Sequence, residues 1–118
     1  MKGTYLGEFE ELILLTVASL GSEAYAVSVK EEADTFSGRK ISISAVHSAL
    51  YRLEEKGFLS SDFGGATQKR GGKKKRFFKV TNSGIESLKA AKEMKESIWK
   101  NIPQLSYTQL FQKLSWTA

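Results

Sequence analysis

The sequence contains no cysteine, one proline and one histidine among its 118 residues. Without cysteine, disulfides and thiolate zinc sites are excluded. The lone histidine, His47, excludes a multi-histidine metal centre within one chain, and no metal ligation is expected there. The apolar stretch 12–20 is far shorter than the ~20 residues of a membrane span. We therefore expect a soluble cytoplasmic protein without metal or other cofactor.

The motifs of common catalytic sites are also missing. His47 has no Ser-His-Asp context, and Gly71-Gly72-Lys73 lacks both the glycine spacing and the Ser/Thr of a nucleotide-binding loop. Isolated carboxylates such as Glu54 and Glu55 are expected on a solvated helix face. An enzyme is not expected.

The excess of positive charge is confined to one segment. The formal net charge is +5, yet residues 68–79 hold seven basic residues and no acidic one, which leaves 11 basic and 13 acidic residues elsewhere. A concentrated basic segment in an otherwise slightly acidic chain indicates a polyanionic partner.

Apolar periodicity predicts three short helices in the first half of the chain. The first covers 9–20 and ends at Gly21, and the second starts near Tyr25 and ends at Gly38. The third is capped by Ser42 or Ser44 and ends at Gly57.

The second half begins with two strand-like segments, 58–63 and 75–80, joined by a glycine-rich basic loop. Thr81 can cap a fourth helix, which Pro103 ends, and Ser106-x-x-Gln109 can open a short terminal helix. The predicted fold is mainly α with a β-hairpin: a winged helix-turn-helix DNA-binding domain over 1–82 and a C-terminal helical dimerisation region over 83–118.

In this arrangement the third helix enters the major groove of DNA and the hairpin, or wing, lies along the backbone or in an adjacent groove. Small side chains on the third helix allow close approach to base edges, and Arg52 suits a phosphate contact. Tyr51 suits either DNA contact or packing on the wing. The candidate residues of the third helix are Ser42, Ser44, Ala45, His47, Ser48, Tyr51 and Arg52, and those of the wing are Lys69, Arg70, Gly71, Gly72, Lys73, Lys74, Lys75 and Arg76.

The fourth helix carries an apolar stripe longer than a three-helix domain can cover, so its distal part needs another partner. We expect a homodimer interface there, made by Leu88, Ala91, Met94, Ile98, Trp99 and Ile102. Trp99 is a candidate either for an interface anchor or for contact with a flat hydrophobic effector.

Two segments carry a resemblance to a known family. Leu-Glu-Glu-Lys-Gly-Phe-Leu at 53–59 and Arg-Gly-Gly-Lys-Lys-Lys-Arg-Phe-Phe-Lys-Val-Thr-x-x-Gly at 70–84 resemble the PadR family of bacterial transcription regulators. The resemblance implies a homodimeric repressor on an operator of pseudo-twofold symmetry, of the branch with a short C-terminal region, and some relatives respond to aromatic or amphiphilic small molecules. The sequence departs from the family pattern at Ala26, usually Gly, and at His47, usually Tyr.

A second class of function stays open at this point: a basic winged module that binds RNA, anionic lipid or a protein. RNA recognition favours aromatic side chains exposed on a sheet, whereas at least one of Phe77 and Phe78 is expected in the core. Membrane binding favours a cationic amphipathic helix, whereas the basic residues here lie on a hairpin.

Overall fold

A computed structural model describes residues 5–64 and 75–103 of the chain. The elements are helix α1 (Glu8–Leu20), a 3-10 turn (Gly21–Glu23), helices α2 (Ala26–Ser37) and α3 (Ile43–Glu55), strands β1 (Leu59–Phe63) and β2 (Arg76–Val80), and helix α4 (Asn82–Lys100). This order confirms the predicted fold class, mainly α with a β-hairpin. The terminal helix expected after Pro103 lies outside the described residues. No helix in the described part is long and apolar enough to cross a membrane.

The chain divides into two compact units, Met1–Leu88 and Lys89–Ala118, and the division falls within α4. The first unit has a continuous apolar core to which all three N-terminal helices and both strands contribute. Its buried members are Ile13, Leu14, Val17, Ala24, Val29, Ala33, Ile41, Val46, Ala49, Leu50, Leu53, Phe58, Leu59, Phe78 and Leu88.

Leu88 corrects one expectation. The sequence placed it at the dimer interface, but its side chain is only 8% exposed and packs in the core of the first unit. A side chain that is covered within its own fold has little apolar surface left for a partner. Beyond Leu88, the large apolar side chains of α4 that are exposed are Met94, Ile98 and Trp99.

Local capping bonds set the ends of the helices. The Ser42 hydroxyl accepts a hydrogen bond from the Ala45 N–H (3.1 Å), so Ser42 and not Ser44 caps α3. The Thr81 hydroxyl accepts from the Gly84 N–H (3.0 Å) at the start of α4. At the end of α2, Gly38 has the left-handed conformation (φ 72°) that glycine adopts without steric cost.

The turn between α2 and α3 is fixed by Asp34. Its Oδ1 accepts from the Ile41 N–H (2.8 Å), and its Oδ2 forms an ion pair with Lys30. The hydrogen bonds from Lys30 and from the Ile41 N–H hold the pKa of Asp34 below its usual value. The carboxylate therefore connects α2 to the residue that leads into α3.

The hairpin is antiparallel and pairs Leu59 with Val80 at its base and Phe63 with Arg76 near its tip. The Phe78 N–H also donates to the carbonyl of Ala24 (2.8 Å), which ties β2 to the segment before α2. Where the described residues of the hairpin end, the Gly64 N–H donates to the Lys75 carbonyl (2.8 Å).

Helix α1 is joined to α3 by the buried carboxylate of Glu10, which is 6% exposed. One oxygen accepts from Lys56 Nζ (2.8 Å) and from the Gly7 N–H (3.0 Å), and the other accepts from Arg52 Nε (3.0 Å). Burial alone would raise the pKa of Glu10, but the hydrogen bonds from Lys56, Gly7 and Arg52 outweigh it, so the pKa is lowered.

We predict that Glu10→Gln lowers the free energy of unfolding by about 1–3 kcal/mol, because a buried acceptor of two cationic donors is lost. Urea unfolding at pH 7 measures this. Glu8→Gln, an exposed change in the same first turn, is the control and should cost about 0.3–1 kcal/mol through the helix dipole. Equal effects of the two substitutions would contradict the role assigned to Glu10.

The contribution of Glu10 should also depend on pH. Because its pKa is lower in the folded state, the unfolded state binds the proton more readily, so stability rises with pH through this range. The contribution is complete above the ordinary pKa of a glutamate and is lost as the pH falls through the lowered value. The stability difference between the parent protein and Glu10→Gln should therefore shrink in acid, measured by urea unfolding between pH 3 and pH 7. A difference that grows in acid would contradict the shift.

Helix α4 begins in close contact with the chain that follows α3. A Cβ at Gly84 would collide with the Phe58 carbonyl oxygen and lie 2.8 Å from Val80 Cγ1. Only glycine permits this approach of the helix to the backbone.

We predict that Gly84→Ala destabilises the protein by about 1–3 kcal/mol, because the contact with backbone at Phe58 must shift. Helix propensity alone predicts the opposite, a gain in stability of about 1 kcal/mol, because alanine favours helix more than glycine does. Thermal unfolding of the variant measures whether its stability falls or rises. Ser83→Ala, at the exposed neighbouring position, is the control and should be neutral or slightly stabilising.

Candidate nucleic-acid interface

Helix α3 has one buried face and one exposed face. Val46, Ala49, Leu50 and Leu53 are buried against the rest of the first unit. The predicted contact residues that are exposed are Ser42, Ser44, His47, Ser48, Tyr51 and Arg52. Ala45 is the exception, because it is partly buried and packs against the core.

The exposed face is small and polar toward its amino end and aromatic further along. Ser44 and Ser48 have short side chains that leave room beside the helix. His47 and Tyr51 are larger, and their ring centres lie 6.1 Å apart. Tyr51 is 53% exposed, and the guanidinium carbon of Arg76 lies 6.0 Å from its ring centre. Tyr51 therefore contacts the hairpin and remains half open to a partner.

Arg52, predicted as a phosphate contact, forms an ion pair with Glu10. Only its Nε is used in the hydrogen bond to Glu10, and its side chain is 50% exposed. The side chain thus serves the packing of α1 on α3 while part of the guanidinium faces solvent. Sequence reasoning missed this pairing because 42 residues separate the partners.

Among the predicted wing residues, the structure describes Lys75 and Arg76. The others, Lys69, Arg70, Gly71, Gly72, Lys73 and Lys74, lie outside the described residues. Lys75 Nζ lies 4.1 Å from the centre of the Tyr25 ring, and Phe77 packs edge-on against the same ring at 5.5 Å. Tyr25, which the sequence analysis did not select as a site residue, supports β2 at its start.

Arg76 contacts both β1 and α3. Its Nε donates to Ser61 Oγ (3.0 Å), and its Nη2 lies 3.5 Å from Glu54 Oε1. The Ser61 hydroxyl donates in turn to Glu54 Oε2 (2.7 Å). The sequence analysis assigned Glu54 to a solvated helix face and did not select Ser61. No periodicity or motif signals this cluster, because its members come from three different elements.

Aromatic rings surround the Arg76 guanidinium. Its carbon lies 5.6 Å from the ring centre of Phe63 and 6.0 Å from those of Phe78 and Tyr51. Phe78 is buried, as expected for one of the two neighbouring phenylalanines, whereas Phe63 is 59% exposed. Arg76 therefore has both aromatic and acidic neighbours, and Lys75 lies over the ring of Tyr25.

In the second unit, the distal part of α4 leaves large apolar side chains in solvent. Met94, Ile98 and Trp99 are 52%, 55% and 57% exposed, and Ala91 and Ile102 are partly exposed. These five residues are members of the predicted interface.

Comparison with known proteins supports the fold assignment. No protein-family model matches the sequence, and no curated protein matches it. Among solved structures, a PadR-like transcription factor from Bacteroides fragilis is similar with a TM-score of 0.69 at 18% identity, over 83% of this chain and 89% of that one. A PadR family transcriptional regulator from Eggerthella lenta has a TM-score of 0.60 at 22% identity, over 83% and 85%.

A PadR family regulator from Clostridium difficile is also similar, with a TM-score of 0.63 at 18% identity over 82% of this chain and 97% of that one. These likenesses cover most of this chain and most of each similar chain. The resemblance inferred from the motifs at 53–59 and 70–84 is thereby confirmed at the level of structure: the chain has the winged-helix fold of the PadR-like transcription regulators.

Proposed function

We propose that the protein is a DNA-binding transcription regulator of the PadR family, a homodimer that represses by covering a pseudo-palindromic operator. The observation that carries this proposal is the exposed face of α3, which presents small polar side chains from a rigid, buried base. The similar fold of PadR-like regulators supports it.

The shape and chemistry of α3 suit the major groove, which admits one helix and displays donors and acceptors on the base edges. Ser44 and Ser48 are exposed and short enough for close approach. Their hydroxyls can donate or accept, while His47 and Tyr51 present larger polar groups from the same helix. Arg52, half exposed beside Glu10, suits a backbone phosphate at the edge of the groove.

The basic wing supplies the non-specific part of the proposed binding. Lys69, Arg70, Lys73 and Lys74 are assigned to phosphate contact from the sequence alone. Each neutralised phosphate should contribute about −0.9 to the slope of log affinity against log salt concentration. A steep salt dependence is therefore part of the proposal.

The proposed dimer uses the exposed apolar side chains of α4. Met94, Ile98 and Trp99 lie within two turns and are each more than half exposed. Single exposed apolar residues are common on proteins, but a contiguous group on one helix marks an interaction surface. Trp99 is also the candidate contact for a small hydrophobic effector that would release the operator.

The test is selection of genomic fragments by the full-length protein, followed by footprinting. We expect two related half-sites about one helical turn apart, because a twofold dimer reads the DNA twice. Competition between duplex DNA, RNA and anionic vesicles should favour the duplex. A single footprint without symmetry, or preference for RNA or vesicles, would contradict the proposal.

We predict that Ser44→Glu combined with Ser48→Glu lowers operator affinity at least about 100-fold, because two contacts are replaced by charges facing a polyanion. Both positions are exposed, so folding should survive. Fluorescence anisotropy with a labelled operator measures the affinity. The control, Ser22→Glu with Ser83→Glu, adds the same charge at exposed positions outside α3 and should lose much less.

We predict that Met94→Glu combined with Ile98→Glu converts the dimer to a monomer, because two carboxylates would have to be desolvated at the interface. Sedimentation at micromolar concentration measures the mass. Lys89→Glu, an exposed change elsewhere on α4, should leave the dimer intact. A parent protein that is monomeric at micromolar concentration would contradict the assignment.

A further inference from the structure

One face of the hairpin carries both apolar and polar side chains. Because side chains alternate along a strand, Leu59, Ser61 and Phe63 share a face of β1, and their register partners on β2 share it too. Leu59 and Phe78 on this face are buried in the core. Ser61, the register partner of Phe78, and Arg76, the register partner of Phe63, lie on the same face, and both reach Glu54 of α3.

Glu54 occupies a position on α3 that is unfavourable for an acidic side chain. It lies in the last turn of α3, where the helix dipole favours cations. Its side chain is 30% exposed, and one oxygen accepts from Ser61 while the other faces Arg76. The two contacts to the hairpin offset the unfavourable position on the helix.

We infer that Glu54, Ser61 and Arg76 form a latch that fixes the angle between the wing and α3. The latch joins all three elements that meet at this corner, and Tyr51, Phe63 and Phe78 surround the Arg76 guanidinium. Arg76 and Glu54 are then positioning residues: they align the wing with the backbone while α3 occupies the groove. This inference rests on the proposed DNA-binding function and differs from the sequence-based assignment of Arg76 to phosphate contact.

The direction in which a substitution at Glu54 changes the affinity for DNA distinguishes the two roles of Arg76. Removing the negative charge of Glu54 should raise affinity for a polyanion if Arg76 contacts phosphate, because Arg76 is released and repulsion falls. The same change should lower affinity if Glu54 holds the wing in place. In the variant the wing is no longer fixed, so ordering it on binding costs conformational entropy. We expect Glu54→Ala to weaken binding to the selected operator about tenfold, with the salt slope unchanged.

Two further variants make the test specific. Asp62→Ala removes the same charge from the position next to Ser61, on the opposite face of β1, and should not weaken binding. In an Arg76→Ala background, Glu54→Ala should no longer lower affinity, because the latch is already broken. Equal losses from Glu54→Ala in both backgrounds would overturn the latch, as would tighter binding by Glu54→Ala alone.

A measurement without DNA keeps the latch distinct from the proposed function. The Arg76 Nε–H should exchange slowly with water in the NMR spectrum of the parent protein and fast in Ser61→Ala and Glu54→Ala. Fast exchange in the parent protein would overturn the latch.

The outcomes separate the latch from the proposed function. If the Arg76 Nε–H exchanges slowly but the parent protein binds no duplex, the proposed function is wrong, and the positioning role falls with it. If the parent binds its operator and Glu54→Ala binds as well or better, the function stands and the latch is wrong.

Discussion

The buried carboxylate of Glu10 is the interaction on which the placement of α3 depends. It accepts from Arg52 in the last turn of α3 and from Lys56, the residue that follows this helix, so a single group on α1 is bonded to two positions about one helical turn apart at the end of α3. A buried anion is stable only with such complete pairing. These contacts leave Ser44, His47 and Ser48 exposed on α3.

The opposite side of α3 is held by the hairpin. Glu54 reaches Ser61 and Arg76 there, and β2 is supported from behind by Tyr25 and by the hydrogen bond from Phe78 to Ala24. Three of the described cations near α3, Arg52, Lys56 and Arg76, are thus paired with carboxylates. In the proposed complex, phosphate contact is therefore assigned mainly to the basic residues at 69–74, which the sequence places in the same hairpin.

Local signals predicted the elements well, whereas interactions between distant residues could not be predicted. Gly38 and Ser42 act on neighbouring backbone, so the sequence predicted where α2 ends and narrowed the start of α3 to Ser42 or Ser44. The helical period of α4 identifies an apolar stripe but not what covers it, which is why Leu88 was assigned to a partner although it lies in the core of its own unit. Glu54 resembles any solvated carboxylate until β1 and β2 bring Ser61 and Arg76 beside it.

The hydrogen bond between Gly64 and Lys75 bears on how the sequence of the hairpin can evolve. It joins the two residues at which the described part of the hairpin ends, and the described contacts of Arg76 with β1 and of Lys75 with Tyr25 lie beside it. A change in the number of residues between these two positions should add little to the cost of folding, since the entropy of loop closure grows slowly with loop length. If the proposed DNA contact by these residues is correct, the length of the basic segment can vary between related proteins at little cost to folding.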